Sequence, residues 1–307
     1  MSEYIIEVVY DTSSGAFLHK CYEEVVRCKD CKHYRDRING CALLAVAFAN
    51  VEPDGFCAWG GEEGGGGMRV AWVSCGLSSF LAAKMGSPDK VIYIHVGNQH
   101  PDSLRFLADS RALLGMPIEV LQSPDYNTVD EVILKDKYIN GAGGARCTLV
   151  LKKRVRQKWE MQNWARHTYI WGYDVDERNR AERIIDSMPE FDHEFPLIDA
   201  GLTKSDVHAI CSDLGLVRPV MYDMGYPNNN CVGCVKGGKG YWNRIRVDFP
   251  KVFERRAAQE REIGRSCIKG VFLDELNPDE GISNPVVPSC SIDCYIAESE
   301  MGVMDGS

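Results

Sequence analysis

Cysteines are the residues whose spacing in this 307-residue chain most directly suggests chemistry. Near the amino terminus, four of them share a short segment: Cys28, Cys31, Cys41 and Cys57. Four thiolates that include a Cys-x-x-Cys pair suit a tetrahedral zinc ion, and a bound metal would stabilise a segment too short to bury a large core. We expect zinc here, with a rubredoxin-like iron site and four unliganded thiols as the alternatives.

A second group of cysteines lies in the rest of the chain. Its members are Cys147, Cys231, Cys234, Cys290 and Cys294, and Cys231 and Cys234 form another Cys-x-x-Cys pair. The chain has 13 cysteines and begins without a secretory signal, so we expect a reducing, cytoplasmic location rather than disulfides. In that setting the thiols are predicted to bind metal or to act as nucleophiles.

A run of small residues follows the apolar segment MRVAWV. Residues 74–79 read SCGLSS, in which Ser74, Gly76, Ser78 and Ser79 are small and the serines add hydroxyl donors. Helix N-termini bind anions through free backbone N–H groups, and small residues let a phosphate come close. The segment is neither a GxxxxGK[ST] loop nor a GxGxxG loop. It predicts a phosphate-binding turn, with a plain strand-to-helix turn as the alternative.

Basic residues lie where a nucleotide would need them. Lys152 and Lys153 follow one cysteine of the second group, and Arg178 and Arg180 follow the apolar segment TYIWGY. Lys and Arg side chains bind phosphate and sulfate oxygens, so we expect these four residues to contribute to a basic pocket. For each of them alone, a solvated surface position is the alternative.

Three acidic residues stand beside the arginines: Asp174, Asp176 and Glu177. Carboxylate oxygens are the ligands that Mg²⁺ prefers. These residues are predicted to hold Mg²⁺ if the nucleotide is ATP, or otherwise to orient the arginines.

Alternating strands and helices must position these groups. Apolar runs at 68–73, 91–96, 118–122 and 168–173 predict strands, and residues 78–85, 102–114 and 148–164 have helical patterns. This alternation is typical of an α/β domain with a parallel sheet and helices on both faces. Ligands of such sheets bind at the carboxyl ends of the strands, where the loop 74–79 and several basic residues fall.

A glycine-rich stretch divides the chain. Residues 60–67 read GGEEGGGG, which predicts a flexible linker between a four-cysteine, zinc-ribbon-like metal-binding module at 1–59 and a nucleotide-binding domain at 68–307 that ends in a cysteine-containing region. The formal charge of −9 does not favour nucleic-acid binding, and no apolar run approaches the ~18 residues of a membrane span.

The loop 74–79 resembles the SGGxDS pyrophosphate loop of the adenine nucleotide alpha-hydrolase superfamily. Ser74, Gly76 and Ser79 match that pattern, whereas Cys75 stands for a glycine and Ser78 for the aspartate. Three later segments resemble the phosphoadenosine phosphosulfate (PAPS) reductase branch: WGYDVDERNRAER at 171–183, PLIDAGLTKSDVHAICSDLGL at 196–216 and PVMYDMGYPNNNCVGCVKGG at 219–238. HVGNQHPDSLRFL at 95–107 is similar to a further segment, from which Asn98 and His100 depart.

The resemblance implies an enzyme that binds an adenine nucleotide and carries out sulfur chemistry. The expected substrate is a sulfonucleotide, PAPS or APS, reduced through a thiol with a thioredoxin-like protein as the reductant. Gly172 falls in the segment implied to contact the nucleotide. Cys290 and Cys294 lie where the reductases carry their nucleophilic cysteine, although the surrounding SCSIDC does not match the family motif.

Some members of that family hold an iron–sulfur cluster. The resemblance implies a [4Fe–4S] cluster on Cys147, Cys231 and Cys234, with Cys290 or Cys294 as the fourth ligand; zinc and an unmetallated Cys-x-x-Cys remain alternatives. Two other functions stay open. One is ATP-dependent adenylation with sulfur transfer to a nucleic acid, and the other is nucleotide binding or sensing without turnover.

Overall fold

The structure is a computed structural model that describes residues 67–281, except 142 and 143, and the backbone of four short strands before them. The chain divides into two compact units, one of residues 1–67 and 163–166 and the other of residues 68–162 and 167–307. Among the predicted metal ligands or nucleophiles, Cys28, Cys31, Cys57, Cys290 and Cys294 lie outside the described residues.

The amino-terminal unit contains two antiparallel strand pairs. Strand β1 (Tyr4–Asp11) pairs with β2 (Ala16–Glu24), and β3 (Tyr34–Arg35) pairs with β4 (Gly40–Cys41). Cys41 therefore ends a short strand, and only its backbone is described. The zinc site on these cysteines stays a prediction.

The second unit is built on a parallel sheet of five strands, which confirms the predicted α/β class. The strands of the sheet are, in chain order, β5 (Arg69–Val73), β6 (Lys90–Ile94), β7 (Ile118–Leu121), β10 (Thr168–Ile170) and β11 (Asp192–Glu194). A separate antiparallel pair, β8 (Asn140–Gly141) and β9 (Gly144–Ala145), lies between β7 and β10 in the chain. The sheet order is β11-β10-β5-β6-β7, so the strand before the SCGLSS loop is central. Strand β11 was not predicted.

Helices connect and cover these strands. They are α1 (Leu77–Gly86), α2 (Asp102–Leu114), α3 (Val129–Asp136), α4 (Arg146–Thr148), α5 (Arg154–Gln162), α6 (Arg178–Ser187), α7 (Pro196–Asp199), α8 (Lys204–Asp213), α9 (Val220–Asp223), α10 (Lys239–Asp248) and α11 (Pro250–Ile263). A π-helical segment, Leu149–Lys153, joins α4 to α5 where the sequence predicts one regular helix. No helix in the described part of the chain is long and apolar enough to cross a membrane.

Successive side chains of strand β5 pack on opposite faces of the sheet. Ala71 and Val73 belong to the buried cluster that contains Phe80 of α1, whereas Trp72 packs edge-on against Trp159 of α5, with ring centroids 5.5 Å apart. Because successive residues of a strand point to opposite faces, α1 and α5 cover opposite faces of the sheet. This arrangement holds the carboxyl end of β5 in a fixed position.

A second buried cluster lies around α3, α10 and α11. It includes Cys231, Cys234, Cys267 and Trp242, with Cys147 packed against it. The Cys-x-x-Cys pair therefore belongs to a packed core and not to an exposed loop.

Candidate functional site

A cavity of about 360 Å³ lies at the carboxyl ends of β5 and β10. Its lining combines loop residues, charged residues and a run of asparagines: Ser74, Gly76, Ser78, Ser79, Gln99, Lys152, Gly172, Tyr173, Asp174, Asp176, Glu177, Arg180, Lys204, Tyr222, Asn228, Asn229, Asn230 and Cys231. This is the edge of a parallel sheet at which ligands bind.

The SCGLSS loop forms a closed turn that leads into α1. Cys75 has a φ of 57°, in the left-handed region, which is unusual for a residue other than glycine. Ser79 closes the turn, because its Oγ accepts from the N–H of Ser74 (3.1 Å) and donates to the carbonyl of Gly76 (3.0 Å). Gly76 is the N-cap residue directly before α1 and has no side chain, so it neither caps nor blocks the helix N-terminus.

The thiol of Cys75 does not line the cavity. It is buried beside Tyr93, and burial raises its pKa to about 12, against the opposing effects of the Tyr93 hydroxyl and the charge of Lys152. A thiol with so high a pKa stays protonated at neutral pH. Cys75 therefore shapes the loop through its backbone and fills the core with its side chain.

Glycine is required where β10 meets the first turn of α1. A β-carbon built on Gly172 would lie 2.5 Å from both the Cα and the nitrogen of Ser79, closer than real contacts allow. The end of β10 thus lies directly against the loop. This is the physical reason for a glycine at 172.

Charged residues of both signs face the cavity. Arg180 pairs with Glu177, and its guanidinium carbon lies 4.6 Å from the centre of the Tyr173 ring. Lys204 donates to the side-chain oxygen of Asn228 (2.7 Å), and burial lowers the pKa of its ammonium group below the usual 10.5. Pairing and stacking hold Arg180 in place before any ligand arrives.

The acidic residues are engaged within the protein. Glu177 orients Arg180, and Asp174 accepts from the backbone N–H of Asp176 (3.1 Å), which caps a short 3₁₀ turn. Within residues 67–281 as described, no three His, Cys, Asp or Glu side chains form a group that could hold a metal ion. Glu177 is therefore placed to orient Arg180, and magnesium binding by these residues stays a prediction.

Seven of the nine predicted nucleotide-binding residues line the cavity. They are Ser74, Gly76, Ser78, Ser79, Gly172, Lys152 and Arg180. Lys153 is 3% exposed and Arg178 lies 3.5 Å from the carbonyl of Ile198; neither lines the cavity. Lys153 points away from the cavity that its neighbour Lys152 lines, because adjacent helical residues face different directions. Whether the seven bind a nucleotide stays a prediction.

Several lining residues were not singled out from the sequence. Lys204 begins α8, which Thr203 starts with a capping box, and Asn228, Asn229 and Asn230 directly precede the Cys-x-x-Cys pair. The three consecutive asparagines before the two cysteines could have been predicted as site residues from the sequence, because buried amides supply both hydrogen-bond donors and acceptors.

The Cys-x-x-Cys segment is attached to the side of the cavity formed by the SCGLSS loop, through backbone and amide contacts. Asn229 donates from Nδ2 to the carbonyl of Cys75 (2.8 Å), and the N–H of Val232 donates to the carbonyl of Asn98 (2.8 Å). Gln99 and Cys231 also form an antiparallel bridge. These ties place Cys231 in the wall of the cavity.

The predicted cluster ligands share one core without forming a metal site among the described side chains. Cys231 and Cys234 are 8% and 6% exposed, and Cys147 is half-buried. Thiolates are suitable donors for iron or zinc, but these three are not grouped so as to hold a metal ion. The fourth predicted ligand, Cys290 or Cys294, lies outside the described residues, so the cluster stays a prediction.

Comparisons with known proteins find a likeness in structure but none in sequence. No family model matches the sequence, and no curated protein sequence matches it. A solved structure of phosphoadenylyl-sulfate (PAPS) reductase from Candida auris, in a phosphate complex, is similar with a TM-score of 0.36 and 12% sequence identity. The match covers 52% of this chain and 78% of that one.

Proposed function

We propose that the protein binds an adenine nucleotide in the cavity at the ends of β5 and β10 and reduces a sulfonucleotide, PAPS or APS, by thiol chemistry. The observation that carries this proposal is the loop 74–79. It turns through a left-handed residue into an uncapped helix N-terminus that borders the cavity. Such an N-terminus attracts a phosphate through its N–H groups and dipole.

The charges around the cavity suit a ligand with several negative groups. Lys152, Arg180 and Lys204 all line it and belong to three different segments of the chain. Arg180 is already oriented by Glu177 and by the Tyr173 ring, so little conformational freedom is lost when it meets an anion. The proposal assigns phosphate to the helix N-terminus and the remaining anionic groups to these three cations.

The absence of a carboxylate within the loop favours a sulfonucleotide over ATP. Cleavage of ATP is assisted by Mg²⁺, which needs oxygen ligands, and residue 78 of the loop is a serine. The nearby carboxylates Asp174 and Glu177 are used in capping and pairing. A sulfonucleotide carries an activated sulfur already and needs no such cleavage.

Thiol-dependent reduction requires two thiols and no metal. A thiolate attacks the sulfur of the sulfonucleotide, and the nucleotide leaves with the bridging oxygen. A second thiolate then attacks the sulfur of the first cysteine and releases sulfite, which leaves a disulfide. A thioredoxin-like dithiol restores both thiols by exchange.

The proposal is tested by measuring binding and turnover of three nucleotides. Purified protein is titrated calorimetrically with PAPS, APS and ATP, and sulfite is measured with each sulfonucleotide in the presence of thioredoxin and its reductase. We expect tight binding of one sulfonucleotide and sulfite release from it.

Other outcomes would redirect the assignment. Tight binding without any product would favour a sensing role. Release of pyrophosphate from ATP only when RNA or DNA is added would favour sulfur transfer to a nucleic acid. If none of the three nucleotides binds, the proposal is wrong.

A further inference from the structure

The geometry points to Cys231 as the thiol that attacks the sulfonucleotide and to Cys234 as the thiol that then releases sulfite. This inference rests on the proposed function and moves the reacting thiols from Cys290 and Cys294 to the Cys-x-x-Cys pair. Of the six cysteines whose side chains the structure describes, all in the thiol form, Cys231 is the one that lines the cavity.

Three hydrogen-bonding contacts of the segment 229–232 hold Cys231 at the cavity. It bridges to Gln99, which also lines the cavity, and the adjacent Val232 donates its N–H to Asn98. Two residues earlier, Asn229 donates to the carbonyl of Cys75 in the phosphate loop. A ligand phosphate at the α1 N-terminus and the Cys231 thiol would therefore share one small space, as a reaction between them requires.

Tyr241 fixes the two ends of the Cys-x-x-Cys turn relative to each other. Its hydroxyl donates to the carbonyl of Cys231 (3.2 Å) and accepts from the N–H of Cys234 (2.9 Å). A tyrosine hydroxyl can donate and accept at once. One side chain thus spans both cysteines.

The turn between the cysteines is compatible with disulfide formation. Val232 and Gly233 form a turn, and Gly233 has a φ of 73°, in the left-handed region. A four-residue turn brings its terminal Cα atoms within about 7 Å, and disulfides span Cα distances of roughly 4.4–6.8 Å. Cys234, 6% exposed, does not line the cavity and so is placed to act after Cys231 and not in its stead.

A positive charge is available beside the attacking thiol. Lys152 lines the same cavity as Cys231, so it can bind an anionic group of the ligand beside the attacking thiol. None of the other described cysteines, which are Cys75, Cys147, Cys211, Cys234 and Cys267, lines this cavity.

The reaction balances without a metal. The Cys231 thiolate bonds to the sulfonyl sulfur as the sulfur–oxygen bond to the phosphate breaks, which releases the nucleoside phosphate and leaves Cys231 carrying an SO₃ group. The Cys234 thiolate then bonds to the Cys231 sulfur, and sulfite departs with the electron pair of the sulfur–sulfur bond. Sulfur is reduced by two electrons, and the two thiols become one disulfide.

The experiment is a single turnover of the full-length protein, reduced, freed of small thiols and kept anaerobic. Protein is mixed with the sulfonucleotide that it binds, and sulfite, remaining thiols and protein mass are measured. The variants are Cys231→Ser, Cys234→Ser, the double variant Cys290→Ser/Cys294→Ser, and Cys267→Ala as a buried-cysteine control.

We expect the unmodified protein and Cys267→Ala to release one sulfite per chain and to form a Cys231–Cys234 disulfide. Cys231→Ser should lower sulfite release at least about 100-fold while it still binds the nucleotide, which shows that the protein is folded. Cys234→Ser should accumulate protein whose mass is increased by one SO₃ group, mapped by peptide analysis to Cys231.

Three results would overturn the inference. Full sulfite release by Cys231→Ser, with loss in the Cys290→Ser/Cys294→Ser variant, would place the nucleophile in the carboxyl-terminal region and leave the proposed function intact. Iron or zinc that is bound by the unmodified protein and lost in Cys231→Ser would assign the pair to a metal. No sulfite from the unmodified protein, despite nucleotide binding, would remove the reductase function itself.

Discussion

Gly172 and Ser79 are in direct backbone contact, so close that a β-carbon on Gly172 would lie 2.5 Å from the Cα of Ser79. The contact joins the end of β10 to the first turn of α1. It therefore sets the distance between the two segments that border the cavity, and a change at Gly172 alters the site without removing a polar group.

Gly172→Ala is expected to lower nucleotide affinity at least about tenfold, because relieving such an overlap costs roughly 1–3 kcal/mol and moves α1 away from β10. Gly86→Ala is the matched control. Its β-carbon would also overlap a neighbour, at 2.8 Å from Ile170 Cδ1, but Gly86 is at the other end of α1 and does not line the cavity. Calorimetric titration of both variants checks the difference; equal losses would mean that the Gly172 contact has no special role.

The left-handed backbone at Cys75 predicts an unusual order of stability among its variants. Both Cys75→Ala and Cys75→Gly remove the buried thiol, so their difference reports mainly on the backbone. Glycine should be the more stable by about 1 kcal/mol, because a left-handed conformation costs a residue with a β-carbon roughly that much. Urea unfolding followed by tryptophan fluorescence measures it, and a more stable alanine variant would contradict the φ of 57°.

Lys204 predicts a pH dependence of nucleotide binding. Burial lowers the pKa of its ammonium group below 10.5, so the charge that meets the anion is lost at a lower pH than for an exposed lysine. Affinity should therefore fall as pH rises through this lowered pKa, by about tenfold or more for a lost charge-assisted hydrogen bond. Lys204→Arg stays protonated and should keep its affinity over the same range. A parallel fall in both proteins would place the titrating group elsewhere.

Asn229 should contribute to stability more than its neighbour Asn228. Its Nδ2 donates to the carbonyl of Cys75 and to the Ser103 hydroxyl (3.1 Å), both within a buried region. Asn229→Ala leaves these acceptors unsatisfied, which costs about 1–3 kcal/mol. Asn228→Ala, at a half-buried residue that accepts from Lys204, should cost less. Thermal unfolding of the two variants measures this difference in stability. An equal loss of stability would contradict the role of Asn229 in holding the SCGLSS loop.

The sheet was predictable from sequence where strands are apolar. The runs that became β5 and β6 consist of residues buried on both sides, so hydrophobicity alone marked them. Strand β11 has the sequence Asp-His-Glu, is three residues long and pairs with β10 alone at the sheet edge. Polar edge strands leave no apolar pattern, because one of their sides meets solvent.

The site was predictable only where its residues are neighbours in the sequence. Ser74–Ser79 form a contiguous loop, so their spacing could be interpreted directly. Lys204, Gln99 and Tyr222 reach the cavity from separate helices and loops, and only tertiary packing brings them there. The π-helical segment Leu149–Lys153 also has no simple sequence pattern, and it separates the directions of Lys152 and Lys153.

The order β11-β10-β5-β6-β7 has a consequence for synthesis of the chain. Strand β6 follows β5 closely in the chain, whereas the other partner of β5, strand β10, is made only after α5. Before β10 is made, one side of β5 has no strand beside it, and Gly172 is not yet present to support the loop. The cavity also needs residues 228–230, so a chain that has been made only as far as β10 can contain part of the sheet but not the site. Pairings between segments so distant in sequence are slow to form, and exposed strand edges of this kind are sites of misassembly.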